Sequence, residues 1–376
     1  MIDRISKIDK TLFVLSILMM GFGIVFVYSS SCAIAQHKFG GSDFFLARHI
    51  VRVALALLCL FVFMNLDYHI LGRYGTAAYV TAIALLAYVL IMPDSHAING
   101  AKRWISLGFI SFQVSEFARI ALIIFLALQL DKFGERIREP GIFVQMLVKI
   151  GIICVLIVIE PNFSTAFVVG CIGLSLLFMS GAKLTHLAGV GVAFIPIAVM
   201  ALVAAPYRLK RLAGFLDMAN AKKGIGYQTY QSMVGLGHGG FFGVGLGQGE
   251  QKYFYLPEPH TDFVFSILGE ETGFVGLMIV FLIFGLLLYR GMRIASRAGD
   301  TMGRIMAFGI TLILAVYFIL HAFVNTGIVP TTGVPLPFLS YGGMSLIFTM
   351  SSIGILLNIS TQLGDVPVST QRHRRV

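Results

Sequence analysis

Ten apolar runs, each near the length that crosses a lipid bilayer, constrain this 376-residue chain more than any other feature. They lie near residues 11–30, 47–65, 74–92, 116–130, 142–159, 164–181, 186–205, 263–289, 304–327 and 343–361. A helix needs about 20 apolar residues to cross the hydrocarbon core. No water is available there to satisfy backbone N–H and C=O groups, so only helices and closed barrels can span it. No strand-length alternation of apolar and polar residues recurs, which excludes a membrane barrel. The expected fold is an all-α polytopic membrane protein with about ten transmembrane helices. No small-residue cleavage site follows the first run, so it reads as a retained helix. The fourth run is short and opens on Glu116 and Arg119, as a helix starting in a cavity would.

Charge gives the expected orientation. The chain is 57% hydrophobic, 12% charged and carries a formal charge of +10, a balance foreign to soluble or disordered proteins. Its Lys and Arg fall in short tracts between apolar runs, with no basic face to hold nucleic acid. Anionic lipid and anionic substrate are the expected partners. With an even number of spans, four tracts share one side: Arg4, Lys7 and Lys10; Lys132, Arg136 and Arg138; Arg290, Arg293, Arg297 and Arg304; and the tail with Arg372, Arg374 and Arg375. By the positive-inside bias that side is the cytoplasm. Both termini, including the basic tail 362–376, are then cytoplasmic. Residues 206–262 become one large extracytoplasmic loop between helices seven and eight, within a single membrane unit, 1–376.

That loop carries Arg208, Lys210, Arg211, Lys222, Lys223 and Lys252, many aromatics, and the glycines Gly235, Gly237, Gly239, Gly240, Gly243, Gly245 and Gly247. The aromatics argue against disorder. The glycines permit close backbone approach to a ligand or a helix, but lack the strand–turn–helix setting of a phosphate loop. Cys32, Cys59, Cys154 and Cys171 show no CxxC spacing, so neither disulfide nor metal chemistry is expected.

Polar residues next to hydrocarbon require a reason, since a carboxylate there costs about 2.5–3.5 kcal/mol on insertion scales. Asp262, Glu270 and Glu271 stand where the loop meets the eighth run. Taken alone, Asp262 reads equally as a general base or a helix cap. Glu270 and Glu271 read as structural ion pairs with Arg119, Lys149 or Arg103. His260 reads as a solvated loop histidine or a substrate-orienting group. Arg48 is a further outward cation, and Trp104 an interfacial anchor or a substrate contact. The broken segment with Asn325, Pro330, Thr332, Pro335 and Pro337 lines a cavity if it lies at membrane depth, with Ser340 and Tyr341 facing in.

Three sets of residues carry a resemblance. The loop reads Gly226-Tyr227-Gln228 through Gln231-Ser232, then Leu256-Pro257-Glu258-Pro259-His260-Thr261-Asp262-Phe263 and Gly269-Glu270-Glu271. Before it stand Asn99-Gly100-Ala101-Lys102-Arg103-Trp104-Ile105 and Phe112-Gln113-Val114-Ser115-Glu116. After it comes Thr332-Gly333-Val334-Pro335-Leu336-Pro337-Phe338-Leu339-Ser340-Tyr341-Gly342-Gly343. In order, spacing and span count the chain resembles the SEDS family, the FtsW/RodA-type peptidoglycan polymerases. The form of residues 99–104 and 251–257 resembles the division branch, FtsW, more than the elongation branch, RodA. Val114, Met218, Asn162, Ser164 and Met344 depart from the family pattern. Asn162 matters most, because it replaces a carboxylate.

The resemblance implies a peptidoglycan glycosyltransferase. It would move a glycan strand from its undecaprenyl-diphosphate carrier to a lipid II acceptor, outside the bacterial cytoplasmic membrane at the division septum. It implies a class B penicillin-binding protein, a transpeptidase, and other divisome proteins as partners. It casts Asp262 as the catalytic base. Arg103, Trp104, Arg211, Lys252, His260, Glu116, Arg119 and Ser340 become substrate-binding candidates, and Glu270, Glu271, Gln231 and Asn325 supports. Mg²⁺ suits diphosphate chemistry, but no dedicated all-protein site is visible. A lipid II flippase and an elongation polymerase are the alternative readings.

Overall fold

A computed structural model describes residues 7–93, 103–106, 111–203, 206–217 and 225–363. The chain runs α1 (Lys10–Phe39), α2 (Phe44–Asn65), short α3 (Tyr68–Arg73), α4 (Gly75–Ile91), β1 (Trp104–Ser106), β2 (Ser111–Gln113) and α5 (Val114–Phe133). It continues with α6 (Pro140–Ile159), α7 (Phe163–Met179), α8 (Leu184–Val203), α9 (Pro206–Leu216), α10 (Ile225–His238), α11 (Val264–Arg297), α12 (Thr301–Asn325) and α13 (Gly343–Ser360). Among the described residues, each of the ten apolar runs is helical over most of its length. Among the described residues, α1, α2, α6, α11, α12 and α13 are long and apolar enough to cross a membrane; α4, α7 and the Leu184–Pro196 part of α8 are shorter apolar helices. This is a multi-pass membrane protein.

Lipid supplies no hydrophobic drive for helices to associate, so close packing and polar ties do that work. Gly354 of α13 lies against α2 so closely that a Cβ would stand 2.7 Å from the Leu60 carbonyl. Asn358, one turn on, donates to the Met64 carbonyl at 2.9 Å and accepts from the Tyr68 N–H at 3.0 Å. At the start of α1, the Asp9 carboxylate caps Leu12 N–H at 2.9 Å and accepts from Arg290 Nε of α11 at 2.8 Å. Helices α12 and α13 are the most enclosed of the six long spans.

Two features depart from the sequence reading. No strand was expected, yet β1 and β2 pair antiparallel, with Trp104 opposite Gln113 and Ile105 opposite Phe112. They are far shorter than the roughly 9–11 residues that cross a membrane; the hairpin is fastened where the Phe112 ring meets Phe348 at 5.9 Å. The expected large loop, in which no helix was assigned, also contains α9 and α10.

The glycine series has a packing role. Helix α11 has 34 residues, about 51 Å of helix, and it breaks at Gly273 with φ 68° and ψ −168°. A kink frees backbone groups that need partners. The segment after α10 provides them: Gly240 and Phe241 carbonyls accept from Phe274 and Val275 N–H at 3.0 and 3.1 Å, and Val244 and Gly245 N–H donate to Glu270 and Glu271 carbonyls at 3.0 Å each. At Gly273 a Cβ would meet Gly243 N at 2.3 Å. The glycines let backbone lie against helix backbone.

Candidate functional site

Asp262 stands at a junction of three helices and the proline-rich segment. Asn325, at the end of α12 and wholly buried, makes the junction. Its Oδ1 accepts from Ser266 N–H of α11 at 3.1 Å, and its Nδ2 donates to the Asp262 carbonyl at 3.2 Å. Ser232 of α10 donates to the Asn325 carbonyl at 2.9 Å and accepts, through its own carbonyl, from Ser266 Oγ at 2.8 Å. Asn325 thereby ties α10, the start of α11 and the Asp262 backbone together. At Gln231, also expected to support, the side chain is half-buried, and the tie is made by its neighbour Ser232.

The Asp262 carboxylate itself is not a cap. The N-cap of α11 is Phe263, with no side-chain cap hydrogen bond. Gly333 lies beside the carboxylate, where a Cβ would stand 3.9 Å from Oδ2. Burial pushes the Asp262 carboxyl up to about 6, Glu258 pushes the same way, and Arg211 pulls it down. Arg211 is held in place by donating to the Thr331 carbonyl at 2.9 Å, while its Nε is buried without a partner. A carboxyl poised near neutrality, with no side-chain hydrogen bond to another of the described residues, is suited to accept a proton.

The segment before Asp262 is clamped rather than hinged. Tyr341 N–H donates to the His260 carbonyl at 2.8 Å. Ser340 Oγ donates to the Thr261 carbonyl at 2.7 Å and accepts from Leu336 N–H at 2.8 Å. Ser340 was expected to face substrate; instead it is buried and spends its hydroxyl on this clamp. His260 is likewise no solvated loop residue. It is 5% exposed, and burial with the nearby Lys38 charge pushes its imidazole down to about 4.

Glu270 and Glu271 are both buried, with partners other than those expected. Lys252 places Nζ 2.8 Å from Glu271 Oε1, with both side chains buried. Ser29 Oγ of α1 donates to the same carboxylate at 2.6 Å, and Lys252 also donates to the Gly247 carbonyl at 2.6 Å. Glu270 accepts from Glu250 N–H at 2.9 Å and Gln251 N–H at 3.2 Å, and its Oε1 lies 3.0 Å from His238 Nδ1. Lys252, expected to bind substrate, thus neutralises Glu271. Distance in the fold decides this, because the three cations expected for the pair are engaged elsewhere. Arg119 pairs with Glu116 at 2.8 Å, Lys149 sits 5.3 Å over the Phe125 ring, and Arg103 donates to the Glu160 and Pro161 carbonyls at the α6–α7 turn.

The expected substrate group is therefore divided. Arg211 and His260 lie with Asp262. Arg103 and half-buried Trp104 belong to β1 and its approach. Glu116 and Arg119 are each 3% exposed, and Arg119 stacks 4.4 Å over the Tyr317 ring. They form a buried pair in the bundle rather than the mouth of an open cavity. Sequence reasoning passed over Glu160, whose two carboxyl oxygens are buried without hydrogen-bond partners among the described residues and whose carboxyl burial raises to about 8, against the pull of Arg103. It also passed over Arg52, a charge within an apolar run, the signal that marks functional positions in membranes. Asn162 is buried at the start of α7 and makes no cap hydrogen bond. Among the described residues, no three His, Cys, Asp or Glu side chains gather to hold a metal ion.

The comparisons agree on kinship. The family model FtsW/RodA/SpoVE, described as "Cell cycle protein", matches residues 9–364. A probable peptidoglycan glycosyltransferase FtsW of Trichlorobacter lovleyi is 39% identical, covering 97% of this chain and 96% of that relative. Stage V sporulation protein E of Bacillus subtilis is 38% identical, covering 94% and 96%. A chain of a peptidoglycan synthase complex superposes with a TM-score of 0.79 at 28% identity, over 94% of this chain and 97% of that one. Thermus thermophilus rod shape determining protein RodA superposes with a TM-score of 0.71 at 25% identity, over 95% and 98%. This chain belongs to the FtsW/RodA/SpoVE family.

Proposed function

We propose that this protein is a peptidoglycan glycosyltransferase that polymerises lipid II at the outer face of the bacterial cytoplasmic membrane, for septal synthesis in cell division. The single observation that carries the reading is the Asp262 carboxylate: fixed by its backbone, free of a capping bond and pushed up to about 6. In the proposed reaction it takes the proton of the attacking sugar hydroxyl on the acceptor. A base of this kind contributes about 10²–10⁴-fold in rate when it reaches the proton it removes. Arg211, beside it, offsets charge on the diphosphate leaving group, a task that suits a guanidinium fork. The names of the relatives support glycosyl transfer and the division branch.

In this reading both termini are cytoplasmic and the segment containing α9 and α10 lies outside, in agreement with the distribution of Lys and Arg. A single-span class B penicillin-binding protein supplies crosslinking, with other divisome proteins around the pair; the synthase complex among the structural neighbours supports such an assembly. Reconstitution tests the reading. Purified protein supplied with labelled lipid II is expected to yield glycan polymer. Protein-dependent movement of labelled lipid II across a vesicle bilayer, without polymer, would overturn it in favour of a flippase.

A further inference from the structure

We propose that Arg52, His49 and His260, gathered around the ring of Tyr341, form the seat for the phosphate groups of a polyprenyl-diphosphate substrate. The choice of ligand rests on the function proposed above; the seat itself rests on unpartnered polar atoms.

Arg52 lies eight residues into α2 from Phe44, about 12 Å along the helix axis. A charge at such a depth in an apolar span is costly, and is ordinarily paired or faces a cavity. Arg52 has no carboxylate partner among the described residues, and its NH1 is buried without a hydrogen bond. Its guanidinium carbon rests 4.4 Å over the Tyr341 ring. His49, one turn earlier on the same face, is 1% exposed, has its ring 5.9 Å from that of Tyr341, and leaves Nε2 unpartnered. His260 approaches from the clamped segment with its ring 5.4 Å from Tyr341 and its buried Nδ1 unpartnered. Buried polar atoms without partners are rare in folded proteins. Three of them around one aromatic ring mark a place built for something else.

The chemistry of the group selects an anion. A guanidinium presents planar paired donors to phosphate oxygens, and the imidazoles add nitrogen donors beside it. The other charged groups near the cluster are Lys38, which acts electrostatically on both His260 and Glu258, Glu258 itself at 3.9 Å from His260 Nε2, and Arg48 over the Phe44 ring at 4.0 Å. With Arg211 beside Asp262, four cations (Lys38, Arg48, Arg52 and Arg211) stand there against two carboxylates, Glu258 and Asp262. A polyprenol or an uncharged sugar could accept a hydrogen bond from Arg52 but would leave its charge without a counter-charge. Because Tyr341 N–H is bonded to the His260 carbonyl, the seat shares a fixed backbone with Asp262, two residues on.

The test measures equilibrium binding of undecaprenyl diphosphate to the full-length protein in nanodiscs, with undecaprenol and phosphatidylglycerol as comparison lipids. Arg52→Gln is expected to weaken diphosphate binding by about tenfold or more, the loss of one charged hydrogen bond, and to leave undecaprenol binding unchanged. Arg52→Lys, a point charge without the fork, should fall between. In turnover, KM for lipid II should rise more than kcat falls. If Arg52→Gln fails a thermal-unfolding check, Arg52→Lys and His49→Ala carry the same measurement. Unchanged diphosphate affinity in the folded variants, equal loss for undecaprenol, or displacement by phosphatidylglycerol as effective as by the diphosphate would each overturn the seat. Arg52-dependent diphosphate binding by a protein that makes no polymer would leave the seat standing and remove the polymerase reading instead.

Discussion

Asn325 donates from Nδ2 to the main-chain carbonyl of Asp262 at 3.2 Å, while its Oδ1 accepts from Ser266 N–H at 3.1 Å. One buried amide thus fixes both the residue proposed to do chemistry and the first turn of the helix that follows it. Asn325→Ala leaves buried backbone groups unsatisfied, at a cost of about 1–3 kcal/mol. A lower unfolding temperature and a loss of glycan synthesis larger than the unfolded fraction explains are expected together. Full activity in a destabilised variant would contradict the positioning role.

Lys252 and Glu271 provide a second test, separating support from substrate contact. Removing one member of a buried pair costs about 3–5 kcal/mol, because the other charge is left uncompensated. Lys252→Met should be poorly folded, and Lys252→Met combined with Glu271→Gln should recover much of the stability and measurable polymerisation. A double variant that folds well but cannot bind lipid II would return Lys252 to the substrate site.

The break in α11 predicts a contrast between glycines. Gly273→Ala places a Cβ at φ 68° and ψ −168°, a positive-φ region essentially confined to glycine, against the backbone of Gly243, adding a clash to an intrinsic penalty of about 1–3 kcal/mol. Gly247, at φ 80°, has open space around its Cβ position, so Gly247→Ala incurs the conformational term alone. Thermal unfolding of the two purified variants should rank Gly273→Ala well below Gly247→Ala.

Proton inventory around Asp262 predicts a pH profile. With its carboxyl at about 6, a base that must be ionised loses activity as pH falls through that value. Glu258 raises the carboxyl and Arg211 lowers it. The acidic limb of kcat/KM should therefore move down in Glu258→Gln and up in Arg211→Gln. Limbs that stay together in all three proteins would remove Asp262 from the titration.

How much of this was legible in the chain differs by kind of information. The ten apolar runs became helices because lipid imposes both length and backbone satisfaction. Their ends were less legible. The first apolar run ends at Ser30, yet α1 continues to Phe39, with the hydroxyls at the end of that run satisfied inside the fold: Ser30 Oγ bonds the Phe26 carbonyl and Ser29 turns toward Glu271. Likewise α11 runs past residue 289 through Arg290, which finds Asp9. The polar cluster at 262–271 was conspicuous, but its partners were not. Nothing local tells that Lys252 folds back on Glu271 or that Ser29, 242 residues away, joins them. The charge of Arg52 within an apolar run was a signal that sequence reasoning passed over, and only the fold brings Tyr341 and His260 to it.

The most direct measurement is polymerisation of labelled lipid II by the purified Asp262→Asn variant beside the unaltered protein. The substitution keeps size and removes the base, so the variant should fold and unfold like the parent while glycan synthesis drops by about 10²-fold or more. Polymer made by folded Asp262→Asn at the parental rate would contradict the assignment of Asp262 as the catalytic base.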